Sequence, residues 1–385
     1  MKDRILEIVR TGRLIVCAGP GGVGKTTTSA AIGLRGALEG RRVIVLTIDP
    51  ARRLANSLGL SELTNEPQRI DLQTAGGEAE AVEGGELWAM MLDQKQTLDD
   101  LVGKYAPDKG ALERSHQNNI YRLLSSTLAG MQEYMALDKL HDLYTGGYYD
   151  LVVLDTPPTK NALEFLETPG RARQFFDDRV IKWFLPNKTG GFLGRIVNPA
   201  GTAVMALLAR VFGQAFVDDL VEFFDTLQFL QEALRSRGEM IDFILRDPAT
   251  HFFVITSADS RRIKEAMFFH EKLGELNKKA AAFILNRVIP NFAVEDLAAV
   301  DQVALEQALR REGVEAADAA ELTRQLEFQY AHLAKLAHHN QEIIARFARR
   351  VSPDLLHTVP LFGEDVHDLH QLRRLGHFLT PSLAR

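Results

Sequence analysis

The sequence predicts an α/β fold, in which a mostly parallel sheet is flanked by helices and carries an inserted helical subdomain. Three observations predict this class. Short apolar runs recur without polar alternation, which is typical of strands buried on both faces of a parallel sheet. Stretches with helical periodicity lie between these runs, as crossover helices do. Three longer stretches show helical periodicity and no strand pattern, which indicates that helices are inserted into the sheet-forming core.

Seven apolar runs are the predicted strands, with glycine or proline in the connections around them. They are Leu14–Ala18, Val43–Ile48, Leu87–Leu92, Leu151–Leu154, Phe252–Thr256, Ala281–Leu285 and Leu356–Val359. The three helical stretches are Leu98–Tyr144, Gly170–Arg246 and Phe292–Val351. The segment Ala75–Gly85, acidic and bounded by glycines, is predicted to be a flexible surface loop.

This pattern divides the chain into one core and the helical segments that interrupt it. The core comprises residues 1–97, 146–169, 249–291 and 351–385. The helical segments comprise residues 98–145, 170–248 and 292–350. A chain of 385 residues has room for two or three domains or for one large elaborated domain, and the alternation favours the elaborated core.

Composition and charge exclude several classes of protein. Apolar residues make up 46% and charged residues 25%, which excludes a mainly disordered or collagen-like chain. The 45 Lys and Arg against 51 Asp and Glu leave a net charge of −6, so no nucleic-acid partner is expected. The single cysteine, Cys17, permits no intrachain disulfide and fits a reducing cytoplasm. The N-terminus lacks a secretory signal pattern, and the apolar stretch Ile196–Ala209 is too short to span a membrane.

The phosphate-binding pattern G-x-x-x-x-G-K-[ST] occurs at Gly19–Thr26, directly after the first predicted strand and before a helical stretch. Glycines let backbone N–H groups close around phosphate oxygens, and the following helix adds the positive end of its dipole. Lys25 would reach the β- and γ-phosphates, and the Thr26 hydroxyl would bind Mg²⁺. In this context the pattern predicts a P-loop NTPase core. The expected nucleotide contacts are Gly19, Gly21, Gly22, Val23, Gly24, Lys25, Thr26 and Thr27.

Two acidic residues stand at the ends of predicted strands. Asp155 follows Leu151–Leu154, and Asp49 follows Val43–Ile48. Either acid taken alone is compatible with a turn residue or a helix N-cap. Because open α/β sheets bind ligands at the carboxyl ends of their strands, the two acids and the P-loop together predict active-site groups. A carboxylate at the end of such a strand is typical of a Mg²⁺ site.

Six segments in chain order carry a family resemblance. They are GPGGVGKTTT (Gly19–Thr28), TIDPARRL (Thr47–Leu54), AGMQEYMALDKL (Ala129–Leu140), LDTPPTKNALEFL (Leu154–Leu166), ILNRV (Ile284–Val288) and VPLFGEDVHDL (Val359–Leu369). The chain resembles the arsenite-pump ATPases and the tail-anchored-protein targeting ATPases, which belong to the dimerising P-loop ATPases. It is most similar to the bacterial single-unit members called anion-transporting ATPases.

The resemblance implies a homodimeric ATPase that uses ATP and Mg²⁺. Asp49, in a first switch, would orient or deprotonate the attacking water. It would also contact Mg²⁺ through a water molecule. Lys25 would be the second catalytic residue. Asp155, in a second switch within residues 146–169, would hold Mg²⁺ through water, and Thr156 and Thr159 would sense the γ-phosphate. Asn286 alone would suggest a turn residue, but the resemblance implies that it reads the adenine. The other wall of the base pocket would be formed by Val359, Pro360 and Leu361.

Three departures from the family pattern change these expectations. Pro20 stands where the family has a lysine that reaches the partner's nucleotide, so another cation is needed or hydrolysis is slow. The region Glu312–Ala320 contains no cysteine, so no zinc clamp is expected at a dimer interface. Cys17 lies in a predicted buried strand, which makes arsenite an unexpected ligand. The candidates for the missing cation are Arg52, Arg53 and Lys160.

The segment Gly170–Pro248 holds 10 of the 21 phenylalanines, with acidic residues between them. One interpretation is a helical subdomain that packs its own apolar face. The other is an apolar groove, completed by dimerisation, that holds a hydrophobic client such as a membrane-protein segment or a lipid. The leading hypothesis is therefore a cytoplasmic ATPase, free or peripheral to a membrane, that couples ATP hydrolysis to client binding. The alternatives are an energising subunit of a membrane transporter, with a membrane protein as its partner, and a slowly hydrolysing nucleotide-dependent sensor or scaffold.

Overall fold

Eight strands form one sheet in the structure, a computed structural model that describes residues 4–49, 53–75, 85–122, 131–158, 166–167, 199–290 and 302–380. The strands are β1 Leu14–Ala18, β2 Arg42–Thr47, β3 Gln68–Ile70, β4 Glu86–Met91, β5 Leu151–Asp155, β6 Thr250–Ser257, β7 Ala280–Val288 and β8 Leu356–Pro360. Their order is β3-β4-β2-β5-β1-β6-β7-β8. β3 runs antiparallel to β4, and the other neighbouring pairs are parallel. The predicted α/β class with a mostly parallel sheet is confirmed.

All seven predicted strands are present, with ends that lie within three residues of the predicted ones. The prediction lacks β3. This strand has three residues, lies at the edge of the sheet and pairs with β4 alone, so it is too short to show a readable periodicity. Of the predicted loop Ala75–Gly85, residues 76–84 lie outside the described part of the chain.

The apolar runs of the sequence are explained by burial on both faces of the sheet. In β1, Leu14, Val16 and Ala18 pack into the core on one face, while Ile15 and Cys17 pack into the core on the other. All five side chains are at most 1% exposed. Because strand side chains alternate between the two faces, a strand covered on both sides takes apolar residues at nearly every position.

Helices cover both faces. They are α1 Arg4–Thr11, α2 Lys25–Leu38, α3 Arg53–Ser57, α4 Gln94–Tyr105, α5 Lys109–Gln117, α6 Met131–Thr145, α7 Pro199–Phe212, α8 Gln214–Arg246, α9 Ser260–Glu275, α10 Gln302–Arg311, α11 Ala316–Ala348 and α12 Leu369–Leu379. α1, α2 and α12 pack on one face, and α4, α6, α8 and α9 pack on the other. Within the described residues, no helix is both long and apolar enough to cross a membrane. Residues 123–130, 170–198 and 292–301 of the predicted helical stretches lie outside those residues.

A buried ion pair joins the long helix α8 to α6. The guanidinium of Arg237 donates to both carboxylate oxygens of Asp138, and both side chains are at most 6% exposed. It also donates to Asp142 Oδ1 at 2.5 Å. Burial by itself would raise the pKa of Asp142, but hydrogen bonds from His141 and Arg237 lower it to about 2. Removing either Arg237 or Asp138 alone would leave an uncompensated buried charge, so the contact between α6 and α8 depends on both partners.

Candidate functional site

The P-loop joins the carboxyl end of β1 to α2. The sheet adds β2 to β5 on one side of β1 and β6 to β8 on the other, so the strand order reverses there. Open α/β sheets bind their ligands at such switch points. The loop packs closely on β6, because a Cβ atom on Gly19 would lie 1.9 Å from the carbonyl oxygen of Ile255. The first glycine of the motif is therefore required by a close backbone approach.

Gly24 is the N-cap of α2 and has a left-handed φ of 88°. A Cβ atom at this position would lie 2.3 Å from Nδ2 of Asn286. That amide donates a hydrogen bond to the carbonyl oxygen of Val23 at 2.9 Å, and Asn286 is only 6% exposed. The second glycine of the motif therefore allows both the turn into the helix and the approach of Asn286 from β7.

Side-chain donors from three parts of the chain hold carbonyl oxygens of the loop. Nζ of Lys25 donates to Pro20 at 3.1 Å, and Nη1 of Arg262 donates to Gly21 at 2.7 Å. Asn286 donates to Val23, as described above. Burial lowers the pKa of Lys25, against the opposing fields of Asp155 and Asp49. Because these side chains engage carbonyl oxygens of the loop, and the first N–H groups of a helix have no intrahelical acceptor, the loop suits an anion.

Asp155 lies beside the loop at the carboxyl end of β5 and is fully buried. Its Oδ2 accepts hydrogen bonds from the hydroxyls of Thr26 at 2.7 Å and Thr47 at 2.9 Å. No donor from the described part of the chain reaches its Oδ1. Burial raises the pKa of this carboxyl to about 6, although Thr26 and Thr47 act in the opposite direction. A buried carboxylate oxygen without a donor, next to a hydroxyl, suits the oxygen-binding Mg²⁺, so these residues fit the predicted ion.

We expect Asp155→Asn to stabilise the nucleotide-free protein at neutral pH. The folded-state pKa of about 6 lies above the ordinary 3.8, so the folded protein loses stability as pH rises through this window and the carboxyl ionises. The shift corresponds to about 3 kcal/mol at most at pH 7. The gain in unfolding free energy should thus be small at about pH 4, grow up to about pH 6 and stay constant above.

Urea unfolding of wild type and variant across this pH range measures the effect. Asp150→Asn is the control, because its effect on stability at neutral pH should have the opposite sign. Burial acts to raise the pKa of Asp150, but hydrogen bonds from Arg42 lower it. An Asp155→Asn protein that is less stable than wild type by the same amount at every pH would contradict the interpretation.

Asp49 lies two residues beyond the end of β2, with its side chain 28% exposed. Its Oδ2 is 3.8 Å from Nη1 of Arg53, and its backbone N–H donates to Oγ1 of Thr47 at 3.3 Å. The carboxylate acts electrostatically on both Lys25 and Asp155. Thr47 was not among the predicted site residues, although it contacts both Asp155 and Asp49. Its only sequence signal is a hydroxyl residue at the end of an otherwise apolar strand.

The predicted switch residues are described in part. The Thr156 hydroxyl donates to the carbonyl oxygen of Cys17 at 2.9 Å and is buried. Pro158 lies against the loop, since its Cγ is 3.7 Å from the place of a Cβ atom on Gly21. Thr159 lies outside the described residues, as do Arg52 and Lys160. The segment after β5 therefore runs beside the P-loop at least as far as Pro158.

The residues predicted to contact adenine lie at the carboxyl ends of β7 and β8. These strands are neighbours, with Val288 paired with Pro360. The Leu361 backbone N–H donates to the carbonyl oxygen of Val288 at 2.8 Å, and the Leu361 side chain is 48% exposed, while Val359 is buried. The structure thus brings Asn286 and the β8 residues to the same edge as the loop. Of the remaining predicted contacts, Gly21 and Gly22 are exposed, and Thr27 is half-buried in the first turn of α2.

Cys17 does not offer a reactive thiol. Its side chain is fully buried in β1, and burial raises its pKa to about 12. Thiolates, not thiols, bind metals and metalloids. Within the described residues, no group of three or more His, Cys, Asp and Glu side chains converges on a metal position.

Comparisons with known proteins find a family and several relatives. The sequence profile of the anion-transporting ATPase family matches residues 12–317. "Putative arsenical pump-driving ATPase 1" of Aquifex aeolicus is 27% identical over 291 residues, which cover 74% of this chain and 65% of that protein. "ATPase GET3" of Podospora anserina is 30% identical over 161 residues, 42% of this chain and 44% of that protein. "ATPase GET3" of Malassezia globosa is 31% identical over 156 residues, 40% of this chain and 42% of that protein.

The aligned segments cover less than two thirds of each of these relatives: 65% of the Aquifex protein and less than half of the two GET3 proteins. The profile match covers well over half of this chain, since it begins before β1 and ends within α11. The resemblance predicted from the six segments is confirmed by the matched profile and relatives.

Proposed function

This chain belongs to the anion-transporting ATPase family, and we propose that it binds ATP with Mg²⁺ at the P-loop and hydrolyses the nucleotide. The observation that carries the proposal is the contact between Thr26 and Asp155, with one carboxylate oxygen that no donor from the described residues reaches. A hydroxyl and a strand-terminal carboxylate beside a phosphate-binding loop are the groups with which P-loop NTPases hold Mg²⁺.

The chain's own groups supply the rest of the site. The N–H groups of the loop and the dipole of α2 bind phosphate oxygens, and Lys25 adds the buried cation. Thr26 and Asp155 would hold Mg²⁺, which neutralises charge on the phosphates when bound. Asp49, which is partly exposed, is proposed to orient the attacking water or take its proton, because its carboxylate lies close enough to Lys25 to influence it. Asn286 and the β8 residues would contact the base.

Calorimetry and a phosphate-release assay test this function. Wild-type protein is titrated with ATP and with ADP, with and without Mg²⁺, and phosphate release is then followed with saturating ATP. We expect binding of both nucleotides and turnover that depends on Mg²⁺. A wild-type protein that binds neither nucleotide would contradict the proposal. Binding without phosphate release would instead favour the nucleotide-dependent sensor or scaffold.

We propose further that two copies of the chain form the working unit. The support is the family resemblance, in which two nucleotide sites face each other, and the single P-loop motif in this sequence. Pro20 lacks the charge that bridges the two sites elsewhere in the family, so helical contacts carry more of the interface. Sedimentation with and without ATP measures the association state, and a strict monomer at high concentration with saturating ATP would contradict a dimer.

The proposed client surface is the end of α7. Leu207, Val211 and Phe212 are each more than 60% exposed, and the Phe212 ring packs against Phe216 of α8 at 5.0 Å between centroids. Large apolar side chains clustered at the surface are typical of interaction sites. The route from the nucleotide runs through packed elements: β5 ends at Asp155, α6 packs in the same core as β5, and buried charges join α6 to α8. These features support a hydrophobic client controlled by the nucleotide.

Hydrogen exchange should therefore report the nucleotide state in residues 199–246. We expect protection of α7 and α8 to differ between the ADP complex and the complex with a non-hydrolysable ATP analogue, since loss of γ-phosphate contacts releases switches in such enzymes. Exchange in α1, on the opposite face of the sheet, is the internal control. Equal protection of α7 and α8 in both states, with a response at residues 155–158, would make these helices a static part of the fold.

A further inference from the structure

Among the described residues, the charged groups around Lys25 in the P-loop leave no net positive charge. Pro20, in the second position of the loop, carries neither a charge nor an N–H donor. The charged groups coupled to Lys25 balance one another, because Asp49 and Asp155 oppose Lys25 and Arg53. A nucleoside triphosphate brings several negative charges to this place. A further cation near the loop would therefore favour binding of the nucleotide.

Arg262 is the side chain that meets this need. Its Nη1 donates to the carbonyl oxygen of Gly21 at 2.7 Å. Nη1 and Nη2 lie 3.6 and 3.8 Å from the place of a Cβ atom on Gly22. The guanidinium therefore lies along two exposed glycines of the loop, in van der Waals contact with position 22.

The position of Arg262 follows from the sheet. β6 is the parallel neighbour of β1, so the segment after β6 starts at the same edge as the P-loop. Asp259 caps α9 by accepting hydrogen bonds at 3.0 Å from the N–H groups of both Arg261 and Arg262. The cap fixes the first turn of α9, and with it the direction in which Arg262 leaves the helix.

Within the described residues, most of the donors of this guanidinium have no acceptor. Arginine has five N–H donors in a planar fork, and the described residues engage one of them, through Gly21. No carboxylate of the described chain forms an ion pair with Arg262, whereas the adjacent Arg261 lies 3.4 Å from Glu265. A partly exposed guanidinium without a carboxylate partner, held against a phosphate loop, has the geometry that phosphate oxygens match.

We propose that Arg262 is a phosphate-binding residue of this site. It anchors Gly21 and provides, within the same chain, the second cation that Pro20 cannot provide. The ligand is the polyphosphate of a nucleoside di- or triphosphate. The inference rests on the proposed nucleotide function and adds to it a residue for which the P-loop pattern gives no sign.

The test compares Arg262→Gln, Arg262→Lys and the control Arg261→Gln. Each protein is titrated by calorimetry with ADP and with a non-hydrolysable ATP analogue in Mg²⁺, at about 0.05 M and about 0.5 M salt. We expect Arg262→Gln to weaken binding about 10-fold at low salt, with a smaller loss at high salt, because a charge-assisted contact is removed. Arg262→Lys keeps the charge but loses the planar fork of N–H donors, so its affinity for nucleotide should lie between those of Arg262→Gln and wild type. Arg261→Gln should bind as wild type does.

Two results would overturn the inference. One is equal affinity of Arg262→Gln, Arg261→Gln and wild type, which would leave Arg262 a surface residue. The other is an equal, salt-independent loss in both Arg262 variants together with a lowered melting temperature, which would indicate a structural contact alone. If wild type itself binds neither nucleotide, both the proposed function and this inference are wrong. If wild type binds nucleotide and Arg262→Gln binds it equally well, only this inference is wrong.

Discussion

Lys25→Met is expected to lower the affinity for ATP by about 100-fold or more while the protein stays folded. Lys25 is 8% exposed, and its ammonium group already donates a hydrogen bond across the loop to Pro20. A hydrogen bond from a charged donor contributes about 1.5–3 kcal/mol, so contacts with two phosphate groups account for a loss of this size. Methionine keeps an unbranched apolar side chain of similar reach and removes the ammonium group, with its charge and its three N–H donors.

Lys278→Met is the matched control for this experiment. Lys278 is also a buried lysine, at 7% exposure, and burial lowers its pKa as it does for Lys25. It lies just before β7 begins, whereas Lys25 follows the end of β1, so the two lysines are at opposite edges of a parallel sheet. Calorimetric titration with ATP should therefore show wild-type affinity for Lys278→Met. Equal affinities of the two methionine variants would mean that the phosphate-loop assignment is wrong.

Asp49→Asn is expected to lower kcat by about 100-fold, the scale of a lost general base, while ATP still binds. The substitution keeps the size of the side chain and removes the ability to take a proton. Phosphate release under saturating ATP measures turnover, and calorimetry checks that the dissociation constant stays within about threefold of wild type. Unchanged turnover would exclude Asp49 from the chemical step.

Arg53→Gln separates a direct role of Asp49 from a role through its neighbour. Arg53 is the charged partner of Asp49, at 3.8 Å, and its side chain is 64% exposed. Such exposed pairs contribute little to stability, so this variant should fold normally and retain most of its turnover. A loss of kcat in Arg53→Gln as large as in Asp49→Asn would show that Asp49 acts by positioning Arg53, and the proposed role in water activation would then be incorrect.

The cation expected to replace the family lysine is a residue that the sequence alone does not identify. The sequence suggested Arg52, Arg53 and Lys160, because each stands next to a predicted catalytic segment. Arg53 proves to pair with Asp49, and the other two lie outside the described residues. Among the described residues, Arg262 is an arginine that does contact the loop, and it is 241 positions away from Gly21 along the chain. Nearness in sequence could not point to Arg262, because its contact with the loop arises from the pairing of β6 with β1.

Local sequence patterns are sufficient to predict the class of fold, the P-loop and the acids at the ends of two strands, because each of these depends on neighbouring residues. Uninterrupted apolar runs follow from burial on both faces, and the glycines follow from the turn that the loop makes. The contacts between distant residues are visible only in the folded chain: Thr47 with Asp155, Asn286 with Val23 and Arg262 with Gly21. They arise from the strand order, which puts β6 beside β1, β7 beside β6, and β5 between β1 and β2, so that residues far apart in sequence meet at one edge of the sheet.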